Sequence, residues 1–397
     1  MTKSNIRKAL VAAGVVTLAL SGTAAAQELV LGLSYAKTGR YASDAATTEV
    51  AVDIAVQEIN AAGGINGRKI RVEKFDTGGE AKGAQLAAQR LAEDRKVLAI
   101  IGPYSSQEAQ VAFAAGERLE IVQMPNASSA PGLTKDKVWA WRMTEDEGKQ
   151  YGRMLKSIAA KGLVKDKTAA VFYPSDEVVG KVLGTLLMPN LLKANGWNQV
   201  IDPEGFPTNA PDLSPQVTKL QGKSPAVVSF GGLPEAAVKV MKEVRRQGHK
   251  SVLIGSQVFA DPDITTKLGA DGEGAIFAAW YWWDFNEKTR SFERKFVDAV
   301  KKAGLTKTGA HHVDASAYDI VYVHADAMRR AGVTGDPAKL KAERTAIRDA
   351  LGATRMEGVT GAICFDKERD AELAQFTIGI KGGKRFLIDS VPSDKCN

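Results

Sequence analysis

Two short runs concentrate side chains able to bind or attack a polar group. "GPYSSQEA" carries Tyr104, Ser105 and Ser106, and "QMPNASSAPG" carries Asn126, Ser128 and Ser129. Each follows an apolar stretch, "VLAIIG" or "IVQMP", and the first run leads into the helical pattern "EAQVAFAAGERL". Three chemistries suit such serines: nucleophilic attack, helix capping and anion holding. A nucleophilic serine needs a base within hydrogen-bond reach, and the chain has no G-x-S-x-G elbow, H-E-x-x-H, P-loop or dinucleotide fingerprint. Serine is a favoured N-cap, so capping is the plainer reading of Ser105 and Ser106. Anion holding is the sharper one, because a helix start also presents free N–H groups and partial positive charge. Elsewhere, "HHVDASAY" offers His311, His312 and Asp314. Adjacent residues on a helix point about 100° apart, so only His311 and Asp314 share a face, and no metal site is expected. "WYWWDF" gathers Trp280, Tyr281, Trp282 and Trp283. It reads either as core or as a ligand-facing ring from Trp280 or Trp282; strand alternation would send these two to one side, and Tyr281 and Trp283 to the other. Trp139 and Trp141 read as structural.

The elements that must position these groups alternate strand and helix. "ELVLGLSY", "KIRVEKFD", "VLAIIG" and "IVQMP" read as strands, separated by helices at "TEVAVDIAVQEINAAGG", "EAKGAQLAAQRLAED" and "EAQVAFAAGERL". The rhythm resumes with "TAAVFY", "GKVLGTLLMPNLLKANG", "AVVSFGG", "PEAAVKVMKEVRRQG", "VLIGS" and "GAIFAAWYWW", and the chain ends in a hairpin, "QFTIGI" and "RFLIDS" about "KGGK". Such alternation implies parallel sheets covered by helices. So many units in one sheet would be unusual, and two doubly wound lobes with a cleft between them are more economical. Ligands of such sheets bind beyond the carboxyl ends of the strands, where both serine runs fall, so the two corners can converge on one carboxylate.

Residues 1–26 are expected to be a signal peptide. Lys3, Arg7 and Lys8 precede the apolar "ALVAAGVVTLAL", and "SGTAAA" ends in a small-residue cleavage pattern after Ala26, so the mature chain starts at Gln27. No later run reaches the roughly 18 apolar residues of a membrane span, and a soluble, exported product is expected. The three leader cations lower the formal charge from +7 to about +4. With no basic block interleaved with aromatics, nucleic acid is not an expected partner. Cys364 and Cys396 are an even pair in an oxidising compartment and are expected to cross-link, two buried thiols being the alternative.

The segments "AVQEINAAGGINGRKIRV", "AIIGPYSSQEA", "QMPNASSAPGLT", "WRMTEDEGKQYG" and "GAICFDKERD", in this order and spacing, resemble the leucine/isoleucine/valine-binding protein family, the type I periplasmic solute-binding proteins of ABC importers. The resemblance implies an α/β fold of two doubly wound parallel-sheet lobes joined by three crossover strands. Lobe I takes residues 27–145 and 281–362, lobe II residues 146–280 and 363–397. By position, Ser106 and Ser128 match hydroxyls that hold a ligand carboxylate. Tyr104, Ser105 and Asn126 match residues lending backbone groups and contact surface, and Arg40 and Tyr41 match the first cleft loop with Gly39. Val179 and Leu233 fall on cleft loops where members carry an aromatic. His312 lies in a region near the cleft, an exposed helix start being the alternative. Amino-acid-binding members commonly place an acid where this chain has Gln257, so an α-amino acid has no evident counter-charge there, with Asp176, Glu177 or Glu235 as substitutes.

The expected function is a non-enzymatic, monomeric periplasmic receptor that hands a small carboxylate-bearing ligand to the permease and ATPase of an ABC importer, without a cofactor. An apolar or aromatic acid ranks slightly above a branched-chain or hydrophobic amino acid, and amides or urea-like compounds rank lower. A sensor of the same fold reporting to a partner protein and a periplasmic hydrolase are the competing readings.

Overall fold

The computed structural model describes residues 27–230, 234–255, 257–393 and 396; the leader 1–26 and Leu233 lie outside them. The first sheet orders its strands β2-β1-β3-β4, all parallel: β1 Leu29–Tyr35, β2 Ile70–Asp76, β3 Ala99–Ile101 and β4 Gln123–Met124. Strand β1 is buried nearly throughout, as a strand covered on both faces must be. The helices Ala42–Ala61, Ala81–Gln89 and Ser106–Leu119 make the crossovers.

The second sheet begins again with its own first strand in the middle. Strands β5 Thr168–Pro174, β6 Asn198–Gln199, β7 Glu204–Phe206, β8 Val227–Phe230, β9 Val252–Gly255 and β10 Ile276–Ala279 pair in parallel, with β6 and β7 on one side of β5 and β8, β9 and β10 on the other. A small antiparallel sheet of β11 Met356–Gly358, β12 Gly361–Phe365 and β13 Ala371–Glu372 follows. The chain then closes the second sheet with the hairpin β14 Gln375–Lys381 and β15 Lys384–Val391. Its two-residue turn is Gly382-Gly383, both at positive φ, which a side chain would resist. Both sheets are thus doubly wound, and each places its switch point beside its first strand.

The apolar cores separate accordingly. One gathers Leu31, Ile101 and Met143 with Trp280, Tyr281, Ile320 and Leu351. The other large one gathers Phe172, Phe230, Phe259 and Phe277 with Trp282 and Phe376. The chain crosses between them near residues 143–151, at 281–282 and at 373–374, three passages in all. Ile363, Phe365, Ala371 and Leu373 pack in the first core, so the small sheet goes with the first lobe although 363–397 was expected in the second. The tryptophan run also departs from strand alternation. Strand β10 stops at Ala279, and the crossing chain sends Trp280 and Tyr281 into the first core and Trp282 into the second, leaving Trp283 39% exposed. Cys364 and Cys396 form the expected disulfide, tying the chain end to β12. Among the described residues no helix is long and apolar enough to cross a membrane.

Candidate functional site

The carboxyl ends of the first sheet present three loops, after β1, β3 and β4. The β3 loop begins with Gly102 at φ +101, where a Cβ would meet the Ser34 carbonyl oxygen at 2.0 Å. Only glycine lets the chain turn so close to β1 and deliver Tyr104–Ser106 to the helix start. Ser105 is the N-cap of the helix Ser106–Leu119: its hydroxyl accepts from the Glu108 N–H at 3.3 Å while its own N–H donates to the Glu108 carboxylate at 3.0 Å, a capping box, and the hydroxyl also donates to that carboxylate at 2.7 Å. Its hydroxyl is therefore committed to capping. Ser106, buried, accepts from the Ala130 N–H at 3.2 Å, which joins the two hydroxyl corners and leaves its own hydrogen to donate. Ser128 donates to the Tyr104 carbonyl at 3.1 Å, so it must turn before it can donate to a ligand. Asn126 spends its amide on Thr48 Oγ1 and the Val313 carbonyl, fixing its loop against two helices.

Behind these corners stands Arg142, fully buried. Its guanidinium forks onto Asp370 and also donates to the carbonyls of Ala130 (2.7 Å) and Ser128 (3.3 Å). Thr144 donates to that same Ser128 carbonyl, and Thr134 to Asp370. The segments "WRMT" and "KERD" thus meet to hold the loop 126–130 in shape.

The loop after β1 adds two stacked aromatics. The Tyr41 ring lies 5.0 Å from that of Tyr104, and burial pushes the Tyr41 hydroxyl pKa up to about 12 although Arg40 opposes it. Arg40 is exposed; it covers the Tyr41 ring at 4.9 Å and donates to Gln107 at 2.9 Å. Tyr104 donates to Asp44 at 2.8 Å. Asp44 shares Lys307 with Asp314, at 3.5 and 3.0 Å. Burial works against the Lys307 charge, yet Asp314, Asp44 and Asp261 outweigh it and hold its pKa above the usual lysine value. Sequence reading passed over this ion cluster, because Asp44, Lys307 and Asp261 are far apart in the chain and ordinary in type.

From the second sheet, Gln257 follows β9 and is buried; its amide donates to Ser129 Oγ at 3.0 Å, across the gap between the cores. The Gln257 carbonyl lies 3.1 Å from His311 Nε2, and a carbonyl can only accept, so that nitrogen carries the proton. His312 is buried, its ring edge-on to Trp280 at 4.1 Å, while Trp280 donates to Ser316 at 2.8 Å from inside the first core. Burial, then His311 and Lys307, hold the His312 pKa well below the usual histidine value; burial and then Lys307 lower that of His311. Both shifts favour the neutral imidazole. Asp314 is engaged with Lys307 and the His311 N–H, and among the described residues no three metal-ligating side chains cluster. Asp176, one substitute acid, is exposed and accepts from Thr208. The side chains of Val179 and Glu235 lie outside the described residues, as does Leu233.

Glu147 was missed in the sequence. It opens the helix Glu147–Ala160, is wholly buried, and its N–H donates to the Ser129 carbonyl at 3.0 Å. Burial pushes its carboxyl pKa up to about 7, against the pull of Ser129 and Gln257. In "TEDEG" it reads as one of three acids suited to a helix start; Glu145 is buried as well, paired with Arg153, and nothing in the types separates the unpaired acid from its neighbours.

Two doubly wound units with buried hydroxyls, aromatics and acids gathered between their carboxyl ends define a two-lobed solute receptor. The chain belongs to the periplasmic binding protein family, whose model matches residues 28–376. The Leu/Ile/Val-binding protein of Escherichia coli K12 is 24% identical over 384 residues, 94% of this chain and 96% of that protein. Isoleucine-bound LivJ, a branched-chain amino acid transporter substrate binding protein of Streptococcus pneumoniae, superposes with a TM-score of 0.78 at 21% identity, covering 92% and 99% of the two chains. An ABC transporter solute-binding protein of Rhodopseudomonas palustris BisB5, in complex with 3,4-dihydroxybenzoic acid, gives 0.78 at 18%, covering 92% and 98%. The relatives are solute-binding proteins, not enzymes.

Proposed function

We propose that this chain is an exported receptor that binds a small carboxylate-bearing ligand between its lobes and delivers it to the permease and ATPase of an ABC importer. The observation that carries the reading is the joined pair of hydroxyl corners, Ser106 and Ser128, at the ends of adjacent parallel strands, with Ser129 of the second corner bonded to Gln257 of the other lobe. Ser106, Ser128 and helix-start N–H groups hold the carboxylate, and Tyr41 and Tyr104 flank the rest of the ligand. Hydrophobic amino acids and aromatic acids are both in range, in line with the isoleucine and dihydroxybenzoate bound by the two structural neighbours. The monomer and the cleavage after Ala26 belong to the same reading.

Calorimetry with a panel of amino acids, aromatic acids, aliphatic acids and amides tests it. Removing one hydrogen bond to a charged group, as in Ser106→Ala or Ser128→Ala, is worth about 1.5–3 kcal/mol, or about 10- to 100-fold in affinity. Unchanged affinity in both folded variants would sink the carboxylate assignment.

A further inference from the structure

The Glu147 carboxyl is unexplained by the fold. It is fully buried, no cation reaches it in an ion pair among the described residues, and neither oxygen has a partner at full hydrogen-bond distance and angle. Ser129 and Gln257 are close enough only to favour its charged form. Protonation supplies a single hydrogen, which the unpartnered Gln257 Oε1 can accept, and still leaves the other carboxyl oxygen without a donor. A buried carboxyl left in this state costs free energy in either form. Gln257 Oε1 is buried and unpartnered as well, because the Gln257 amide nitrogen is spent on Ser129. Three orphaned acceptors, Glu147 Oε1, Glu147 Oε2 and Gln257 Oε1, thus stand together on the second lobe, against the Ser128–Ser129 corner of the first. They are reached from helix Glu147–Ala160 and from the end of β9. An ammonium group carries three donors and one positive charge.

We propose that Glu147, with Gln257 as its neutral companion, receives a cationic amine of the ligand, so that the ligand is a zwitterionic amino acid with an apolar side chain rather than an acid lacking an amine. This rests on the carboxylate reading above and narrows it. It also gives Gln257 a different part: the amide oxygen accepts one N–H, and the compensating charge comes from Glu147 on another element. Burial that pushes the Glu147 pKa to about 7, with Asp146 and Glu177 adding to it, is what an incoming ammonium reverses.

Matched pairs test the assignment: L-leucine against 4-methylpentanoate, and L-phenylalanine against 3-phenylpropanoate, titrated calorimetrically into wild type, Glu147→Gln and Glu147→Asp. Wild type is expected to prefer the amine-bearing member of a pair. Glu147→Gln, isosteric and neutral, should lose about 30-fold or more for the amino acid while holding the amine-free acid unchanged or tighter, and Glu147→Asp should recover part of the loss. Equal amino-acid affinity in wild type and folded Glu147→Gln, or a wild type that prefers the amine-free acid, overturns the proposal and leaves the carboxylate reading standing. A wild type that binds neither member of either pair overturns the proposal, and the carboxylate reading falls only if the aromatic and aliphatic acids of the wider panel also fail to bind.

Discussion

Asp319 shows how much a single buried carboxyl can govern. It sits in the helix His312–Arg330 and accepts from the Val359 and Thr360 N–H groups at 2.9 and 2.8 Å and from the Thr360 hydroxyl at 2.7 Å. Burial nevertheless dominates and pushes its pKa up from 3.8 to about 6. Between those two values the folded protein holds a proton that the unfolded chain has released, so Asp319 lowers stability as pH rises from about 4 to 6. The change is on the order of 2–3 kcal/mol. Asp319→Asn cannot titrate, so the stability of wild type relative to the variant should fall across this window in denaturant melts; a flat difference would mean that Asp319 ionises as it does in water. Residue types alone told part of this story. Ser106 and Ser128 were legible as hydroxyls lying just beyond the carboxyl ends of neighbouring strands. Ser105 was legible only as one of two serines, and the capping box falls to it because Glu108 stands three residues on. Glu147 and Asp319 were not, since burial, which makes them unusual, is a property of the packed molecule.

At the scale of elements, the loop 126–130 owes its shape to one side chain from a neighbouring segment. Truncating Arg142 leaves Asp370 as a buried charge facing Thr134 alone among the described side chains, strips the Ala130 carbonyl of its donor and leaves that of Ser128 to Thr144. Breaking a buried ion pair by removing one partner costs about 3–5 kcal/mol. Arg142→Ala should therefore shift the urea midpoint strongly downward, and Arg142→Lys should recover only part of it, because an ammonium cannot fork. A loss under about 1 kcal/mol for the alanine variant contradicts this account. The disulfide works through the unfolded chain: its ends are 32 residues apart, which the chain-entropy model values at roughly 3–4 kcal/mol. Non-reducing peptide mapping should recover the linked pair, and Cys364→Ser with Cys396→Ser should unfold earlier. Strands and helices were readable because two-residue and 3.6-residue apolar periods are local. The end of β10 was not. Trp280–Trp283 continues an apolar run, and only the crossing between two cores stops the strand at Ala279.

The whole molecule is two cores bridged by side chains as well as by three passages of backbone. Besides Gln257–Ser129 and His311–Gln257, Thr308 donates to Asp263 at 2.6 Å. Asp263 precedes the helix Ile264–Leu268 of the second core, and Thr308 leads into the helix His312–Arg330 of the first. This last bond is exposed and involves none of Ser106, Ser128 and Tyr104. It exists only when the two lobes are together, so it favours the closed form without favouring any ligand. A receptor whose binding-competent form is partly populated shows an affinity reduced by that fraction. Thr308→Val should therefore weaken every ligand by one common factor. An exposed hydrogen bond of about 1 kcal/mol sets that factor at roughly two- to fivefold. Ser106→Ala, by contrast, acts on the carboxylate it touches and should spare ligands that lack one. Calorimetry of several ligands on both variants, with small-angle scattering of the ligand-free forms, separates the two mechanisms. A Thr308→Val penalty that varies from ligand to ligand would place that residue in the binding surface and not in closure.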